Sequence, residues 1–395
     1  MQGIIFAAGR STRCFPLTET RPKPLLPVAN KPIIQYHLEN LKDLVDEVII
    51  VIGYKGNMIK EFLGDSFEGI QIKYVKQCNL NGTGGALQVA VPFIKDDFLL
   101  ITGDDLIAKE DLLLLTKEKN AVLVDESKHP KDFGVVELDN DNVSCIVEKP
   151  EEPKSNLVNT AFYVFEKSFL QTLKNLKPSS RGELEITDAI NEYCKTVSVK
   201  PVKIKKYWLG MSHAWNLLDA NACILKELPE KIEGTVESGA TIKGKLMLGK
   251  GSRILNGAYL EGDVCVGENT QIGPNCYIRG STSIGSNCKV GNAVEIKNCI
   301  LMDGAKVGHL SYIGDSILGF DVNFGAGTIT ANLRHDNSNV KTMCNDLLID
   351  SGRRKFGTIV GDHAHTGIHT SIYPGRKFAP GSSSLPGDVV KKDVE

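Results

Sequence analysis

The sequence predicts an α/β chain in two parts: a mostly parallel sheet covered by helices, then a parallel β-helix of triangular section. Two observations carry this. Strand-like and helix-like stretches alternate through the first half, and an aliphatic ladder runs from Leu248 to Met302. The ladder is Leu248, Ile254, Leu260, Val266, Ile272, Ile278, Ile284, Val290, Ile296 and Met302, each six residues after the last. Two places before its members stand mostly small residues: Ser252, Ala258, Val264, Thr270, Cys276, Thr282, Cys288 and Val294. A six-residue period fits neither a helix nor a strand alternation, so it signals a repeat. Each short strand would bury one large aliphatic, with a small side chain inward near each corner, and stacked coils would share one apolar column. Ordinary hairpins would alternate and be broken by turn dipeptides, which this stretch is not.

At 395 residues, 42% hydrophobic and 24% charged, the chain has room for two domains with cores. We draw them at 1–228 and 229–395. A formal net charge of -2 gives no pull toward nucleic acid or anionic membrane. No apolar run approaches a membrane span, and no basic leader precedes the first strand. The ten cysteines include no C-x-x-C pair, which speaks against a zinc site or a disulfide framework and for a reducing cytoplasm. Cys276 and Cys288, in the small-residue phase, read as compact apolar fillers.

Taken in order, Gly3–Ala7 reads as a buried strand, Ile33–Leu44 as an amphipathic helix and Val48–Ile52 as a second strand. The alternation continues through Phe98–Thr102 and Ala121–Val124, which argues a parallel sheet with ligands at the carboxyl ends of its strands. Ala7-Ala8-Gly9-Arg10-Ser11-Thr12-Arg13 opens from the first strand, followed by Pro22-Lys23-Pro24-Leu25. Such a loop presents backbone N–H groups to phosphate, and Arg13 and Lys23 add positive charge.

This pair of motifs resembles the sugar-1-phosphate nucleotidylyltransferases, and the resemblance covers the whole first domain. It implies a Rossmann-like fold, with Arg13 and Lys23 catalytic and Ala7, Ala8, Gly9, Gln77, Gly82 and Thr83 binding the nucleotide. It further implies Asp104 as a Mg²⁺ ligand and Gly134, Glu148 and Asn159 as sugar-phosphate contacts. The reaction would be in-line attack of a sugar-phosphate oxygen on the α-phosphorus of a nucleoside triphosphate, with positioning and cations supplying the catalysis. Three positions depart from the family pattern: Ser11 and Ala161 stand where Gly is usual, and Gly210 where a metal-binding Asp is usual. Asp105 follows Asp104 and, by strand alternation, is expected to face away from the same ion. A slow nucleotidyl transfer with a high Mg²⁺ requirement is therefore expected.

His213–Leu228 has helical spacing and closes the first domain, and the β-helix is expected to begin near Thr241. Its pattern resembles the hexapeptide-repeat acyltransferases, which implies left-handed coils. Beyond Met302 the phase slips, resuming at Val307 and Ile313 and again at Leu318 and Phe324. The slip lies beside Gly308-His309-Leu310-Ser311-Tyr312-Ile313-Gly314-Asp315. With Arg279, Val294-Glu295-Ile296-Lys297 and the Asn323–Asn332 run, this resembles the acetyltransferase half of bifunctional N-acetylglucosamine-1-phosphate uridylyltransferase / glucosamine-1-phosphate N-acetyltransferase enzymes. After Asn332 the likeness is to the archaeal ones.

An amino sugar must lose a proton before it attacks a thioester, and a neutral His suits that task. The resemblance implies His309 as general base, and Arg279 and Lys297 on the sugar phosphate. It also implies Tyr312, Asn323 and Asn332 orienting the sugar and Ala326 against acetyl-CoA, with UTP as the second co-substrate. Arg353, Arg354 and Lys355 read either as a coenzyme A phosphate site or as a solvated loop. His363, His365 and His369 read as coil residues rather than a metal site, and Leu385–Glu395 as a frayed tail. A homotrimer through the β-helix is implied as well. An acetyltransferase with an impaired nucleotidylyltransferase domain, a thymidylyltransferase and a non-catalytic regulatory or scaffold subunit remain as alternatives. Galactosamine phosphate stands beside glucosamine phosphate as substrate.

Overall fold

The computed structural model describes residues 1–395. The chain divides into two compact units. The first comprises Met1–Arg10, Pro22–Leu25 and Ile33–Gly210, and the second Ser11–Arg21, Leu26–Pro32 and Met211–Glu395. The fold class is α/β, a Rossmann-like unit and a left-handed parallel β-helix.

The first unit is built on β1 (Gln2–Ala7), α1 (Ile33–Leu41), β2 (Glu47–Ile52), β3 (Ile70–Lys76), α2 (Thr83–Ala90), β4 (Phe98–Thr102), β5 (Leu106–Ile107), β6 (Ala121–Glu126), β7 (Gly134–Asp139), β8 (Asn142–Glu148) and β9 (Leu157–Phe165). The ten-stranded sheet runs β8-β7-β9-β4-β1-β2-β3 and ends on Ser66–Phe67, with β6 also pairing β9 and Lys200–Lys203 pairing β6. β1 pairs in parallel with β2 and β4. Ile4, Ile5, Val48 to Val51 and Phe98 to Ile101 are fully buried. Such unbroken apolar runs are what a sheet covered on both faces requires. α1 buries Ile33, Ile34, His37, Leu38 and Leu41, a single helical stripe against this core.

The parallel register aligns the carboxyl ends of three strands, with Ala7 opposite Ile52 and Phe6 opposite Thr102. The backbone then closes tightly: the Tyr54 N–H donates to the Ala8 carbonyl at 2.9 Å and the Gly103 N–H to that of Phe6 at 2.8 Å. A Cβ on Gly103 would stand 2.6 Å from the Phe6 oxygen, so only glycine lets the chain turn there.

β9 breaks register between Asn159 and Tyr163, and Ala161 sits in that bulge with φ 62°. Ser11 likewise has φ 51°. Both family departures to Ser and Ala thus fall on left-handed positions, where a Cβ is costly. Ala161→Gly should stabilise the first unit by about 1 kcal/mol. The check is the urea midpoint of its unfolding transition, and an unmoved or lowered midpoint would contradict the strain.

The second unit is a prism of three parallel sheets of eight, seven and eight strands. One face stacks Leu246–Leu248, Val264–Val266, Thr282–Ile284 and Ile300–Leu301 in successive coils. The inward aliphatics form one continuous core from Leu246 to Val390. Each contributes about 1.5–3 kcal/mol by leaving water. Burial pushes the thiols of Cys276, Cys288 and Cys299 up to about 12, so they are inert packing.

Three expectations change. The β-helix begins at Lys231–Ile232, which pairs with Met247–Leu248, ahead of Thr241. Its first coil is an exposed, polar end coil, so it carries no hydrophobic signal. The phase slips one strand earlier than the ladder suggests: Leu301, not Met302, pairs with Ile284 and joins the core. Met302 is buried but lies outside that column. The tail is not frayed, because Val390 pairs with Ile372 and Asp393 accepts the Lys377 N–H at 3.0 Å. An antiparallel hairpin, Lys341–Cys344 with Leu347–Asp350, projects between two coils. The helix Asn216–Glu227 also belongs to this second unit.

Candidate active sites

In the first unit the Lys23 ammonium, almost wholly buried, lies 2.9 Å from Asp104 Oδ2 and 3.8 Å from Asp105 Oδ1. The expectation that Asp105 faces away is overturned. Both acids sit in the turn between β4 and β5, where strand alternation does not apply. Trp208 Nε1 donates to Asp105 Oδ2 at 3.3 Å, and its ring meets Phe133 edge-on. Desolvation pushes the Asp104 carboxyl up, but the Lys23 ammonium and the Thr102 hydroxyl outweigh it and hold it below the usual range. His37 is fully buried nearby. Desolvation lowers it to about 4, opposed by the Asp104 charge and the Asp105 backbone, so it is neutral at pH 7. The two carboxylates supply the hard oxygen donors that a Mg²⁺ ion takes.

The other residues assigned to this unit group in two places. Gln77 Nε2 donates to the Gly82 carbonyl at 3.1 Å, where Gly82 caps α2 with φ 103°. The Thr83 hydroxyl accepts the Ile186 N–H at 3.0 Å. Gly134 lies close against two of them: a Cβ built on it would be 3.2 Å from Glu148 Oε1 and 3.5 Å from the Asn159 Cβ. Gly134, Glu148 and Asn159 therefore meet. Burial raises Glu148, partly offset by Arg181, 3.9 Å away. Arg181 lies in an irregular segment with no motif, so sequence reasoning missed it. Arg13 is exposed in the turn Thr12–Cys14, in the second unit.

On the β-helix, one face carries Tyr277–Arg279, Glu295–Lys297 and Tyr312–Gly314 in successive coils, with Arg279 beside Lys297. Arg279 Nη2 is 2.7 Å from Glu295 Oε1. Lys297 Nζ is 3.0 Å from Asp315 Oδ2, and Asn298 Nδ2 donates to Asp315 Oδ1 at 2.8 Å. Asn332 Nδ2 donates to Asp315 Oδ2 at 2.5 Å and to the Tyr312 hydroxyl at 3.2 Å. Burial raises the Tyr312 phenol, and the Asp315 charge adds to it. Gly314 makes the cluster possible: a Cβ there would lie 2.5 Å from Asn332 Nδ2 and 2.6 Å from the Tyr312 oxygen.

Asp315, buried at the centre, was missed by sequence reasoning, as was Glu295. Asp315 reads as a turn residue (φ 48°) until the register sets Lys297 and Asn332 against it. His309 lies elsewhere, exposed at the end of Lys306–His309 on the adjacent face, with its carbonyl accepting the Gly327 N–H at 3.1 Å. Asn323, on that same face, and Ala326 belong to the coil after it. Within one chain, then, Arg279, Lys297, Tyr312 and Asn332 come together on one face, and His309 and Asn323 lie on the next.

These two units define a nucleotidyl transferase joined to a hexapeptide-type β-helix. The nucleotidyl transferase family matches residues 2–227, and the GMPPB C-terminal domain matches residues 260–373. The chain is 41% identical to "Bifunctional protein GlmU" of Methanocaldococcus jannaschii, covering all of this chain and 96% of that one. It is 39% identical to the bifunctional sugar-1-phosphate nucleotidylyltransferase/acetyltransferase of Sulfurisphaera tokodaii, covering 100% and 98%. A Bacillus anthracis structure described as a glucose-1-phosphate thymidylyltransferase aligns with TM-score 0.53 and 32% identity, over 58% of this chain and 97% of that one. The chain belongs to the family of archaeal bifunctional GlmU proteins.

Proposed function

We propose that this enzyme acetylates glucosamine-1-phosphate from acetyl-CoA and then couples the product to UTP, giving UDP-N-acetylglucosamine and pyrophosphate. The observation that carries the reading is the Arg279–Lys297–Asp315–Asn332–Tyr312 cluster in a chain collinear with bifunctional relatives. Arg279 and Lys297 hold the sugar phosphate, and Tyr312, Asn323 and Asn332 orient the ring. His309 takes a proton from the ammonium, the freed amine attacks the thioester carbonyl, and the C–S bond breaks to release coenzyme A. Ala326 lies against the acetyl donor.

In the first unit the backbone at Ala7 to Gly9, with Lys23, binds the phosphates. Gln77, Gly82 and Thr83 hold the base, and Gly134, Glu148 and Asn159 the sugar. Asp104 holds Mg²⁺, which when bound supplies positive charge to the triphosphate. The working domains are 1–228 and 229–395, and the reducing cytoplasm suits ten unpaired cysteines. Assaying the purified chain for coenzyme A release and pyrophosphate release, with glucosamine and galactosamine phosphates, tests both halves. A thymidylyl donor is the second reading, favoured by the Bacillus structure. Competition between UTP and dTTP decides it.

The assembly is a homotrimer through the β-helix. His309 and the phosphate-holding cluster occupy different faces of one prism, so a site formed between prisms would draw its parts from two chains. Acetyl transfer should therefore be lost on dilution as the trimer dissociates, followed by light scattering. An active monomer would end the idea.

A further inference from the structure

We infer that Asn81 sets the base selectivity of the nucleotidyl transferase unit by fixing which end of the Gln77 amide faces the ligand, an inference that rests on the reading of Gln77 as a base contact. The ligand so selected is a nucleotide whose pyrimidine ring carries an N3–H, uracil or thymine, over cytosine. A glutamine amide can present either a donor or an acceptor, so by itself it does not choose. Here the protein makes the choice. Gln77 follows β3, with its N–H donating to the Ile52 carbonyl at 2.9 Å, and Ile52 stands opposite Ala7 at the carboxyl edge of the sheet. Its side chain is held on the inner side of that edge, and the residue is only 5% exposed.

Gln77 Nε2 donates to Asn81 Oδ1 and to the Gly82 carbonyl, each at 3.1 Å. A backbone carbonyl can only accept, and that of Gly82 also takes the Ala86 N–H at 3.1 Å, so the group turned toward it is the NH2. Both amide hydrogens are then engaged. The oxygen, which accepts from no protein group, is the atom left for a ligand. It pairs with the N3–H of uracil or thymine and opposes the N3 lone pair of cytosine. Asn81 is itself fixed. Its carbonyl accepts the Leu184 N–H at 2.7 Å, and its side-chain amide lies against the first turn of α2. A Cβ on Gly85 would collide with the Oδ1, Cγ and Nδ2 atoms of Asn81, so glycine leaves the space that the asparagine fills.

The test is steady-state pyrophosphate release by the full chain at saturating N-acetylglucosamine-1-phosphate, with UTP, dTTP and CTP in turn. The parent should favour UTP or dTTP over CTP. Asn81→Ala should lower that ratio of kcat/KM by roughly 3–10-fold, the worth of one hydrogen bond, through a raised KM for the favoured nucleotide with little change in kcat. Asn81→Asp keeps an acceptor for the Gln77 NH2 and should recover the ratio, which a merely structural loss would not. Gly85→Ala should mimic Asn81→Ala by displacing the asparagine, and urea unfolding checks that each variant folds. Gln77→Ala should lower the ratio at least as far. A ratio lowered by Gln77→Ala but unmoved by Asn81→Ala and Gly85→Ala would overturn this inference and leave the base reading standing. A ratio unmoved by Gln77→Ala would overturn the base reading and this inference with it.

Discussion

Replacing His309 with alanine should reduce coenzyme A release by roughly 10²–10⁴-fold, the range for loss of a general base. Uridylyl transfer from an already acetylated sugar phosphate should be unchanged. The imidazole is exposed at a strand end, so its removal opens no core cavity and the loss is chemical rather than structural. Its backbone partner survives any substitution, since it is the His309 carbonyl, not the ring, that accepts the Gly327 N–H. The loss should fall on kcat, because Arg279 and Lys297, proposed to hold the sugar phosphate, lie on another face and are undisturbed. Near-normal coenzyme A release would remove His309 from the mechanism. Loss of both activities with unchanged unfolding would show that the two reactions are not separable by unit.

The sequence was most legible where physical chemistry repeats itself. The β-helix core was readable because every coil must bury an aliphatic at the same place, so that Ile254, Ile272 and Val290 stack in register. The same logic misled at Met302. An apolar side chain at the continued period looked inward, while the shortened corner after Lys297 handed the column to Leu301. No periodicity marks a one-residue deletion when both neighbouring residues are apolar. The first coil from Lys231 was invisible for the opposite reason, since an exposed end coil needs no apolar signal.

Site residues divide in a similar way. Gly134, Glu148 and Asn159 lie far apart in the chain, and their meeting depends on the pairing of β7 with β8 and β9. Motif spacing could name them but could not bring them together. Asp105 was misjudged because strand alternation was applied to a residue one turn beyond the strand. Asp315 was missed because its partners, Lys297 and Asn332, come from neighbouring coils.

Asp315 also carries the second large effect. Its carboxylate accepts from Lys297, Asn298 and Asn332 while its side chain is only 4% exposed, and the Lys297 side chain is 19% exposed. Removing one partner of such a pair leaves the other charge poorly solvated, at a cost of about 3–5 kcal/mol. Asp315→Ala should thus lower the stability of the β-helix unit by about that amount, and leave Lys297 and Asn332 free to leave their positions. A displacement near 1 Å costs on the order of 10²-fold in rate, so acetyl transfer should fall by about that factor in protein that remains folded. Asp315→Asn keeps an acceptor for Asn332 or Lys297 and should recover part of the stability, but not the charge pairing. Denaturant unfolding and steady-state kinetics on both variants separate the two effects. An Ala variant as stable and as active as the parent would mean that the three donors find equivalent partners in water, and that Asp315 positions nothing.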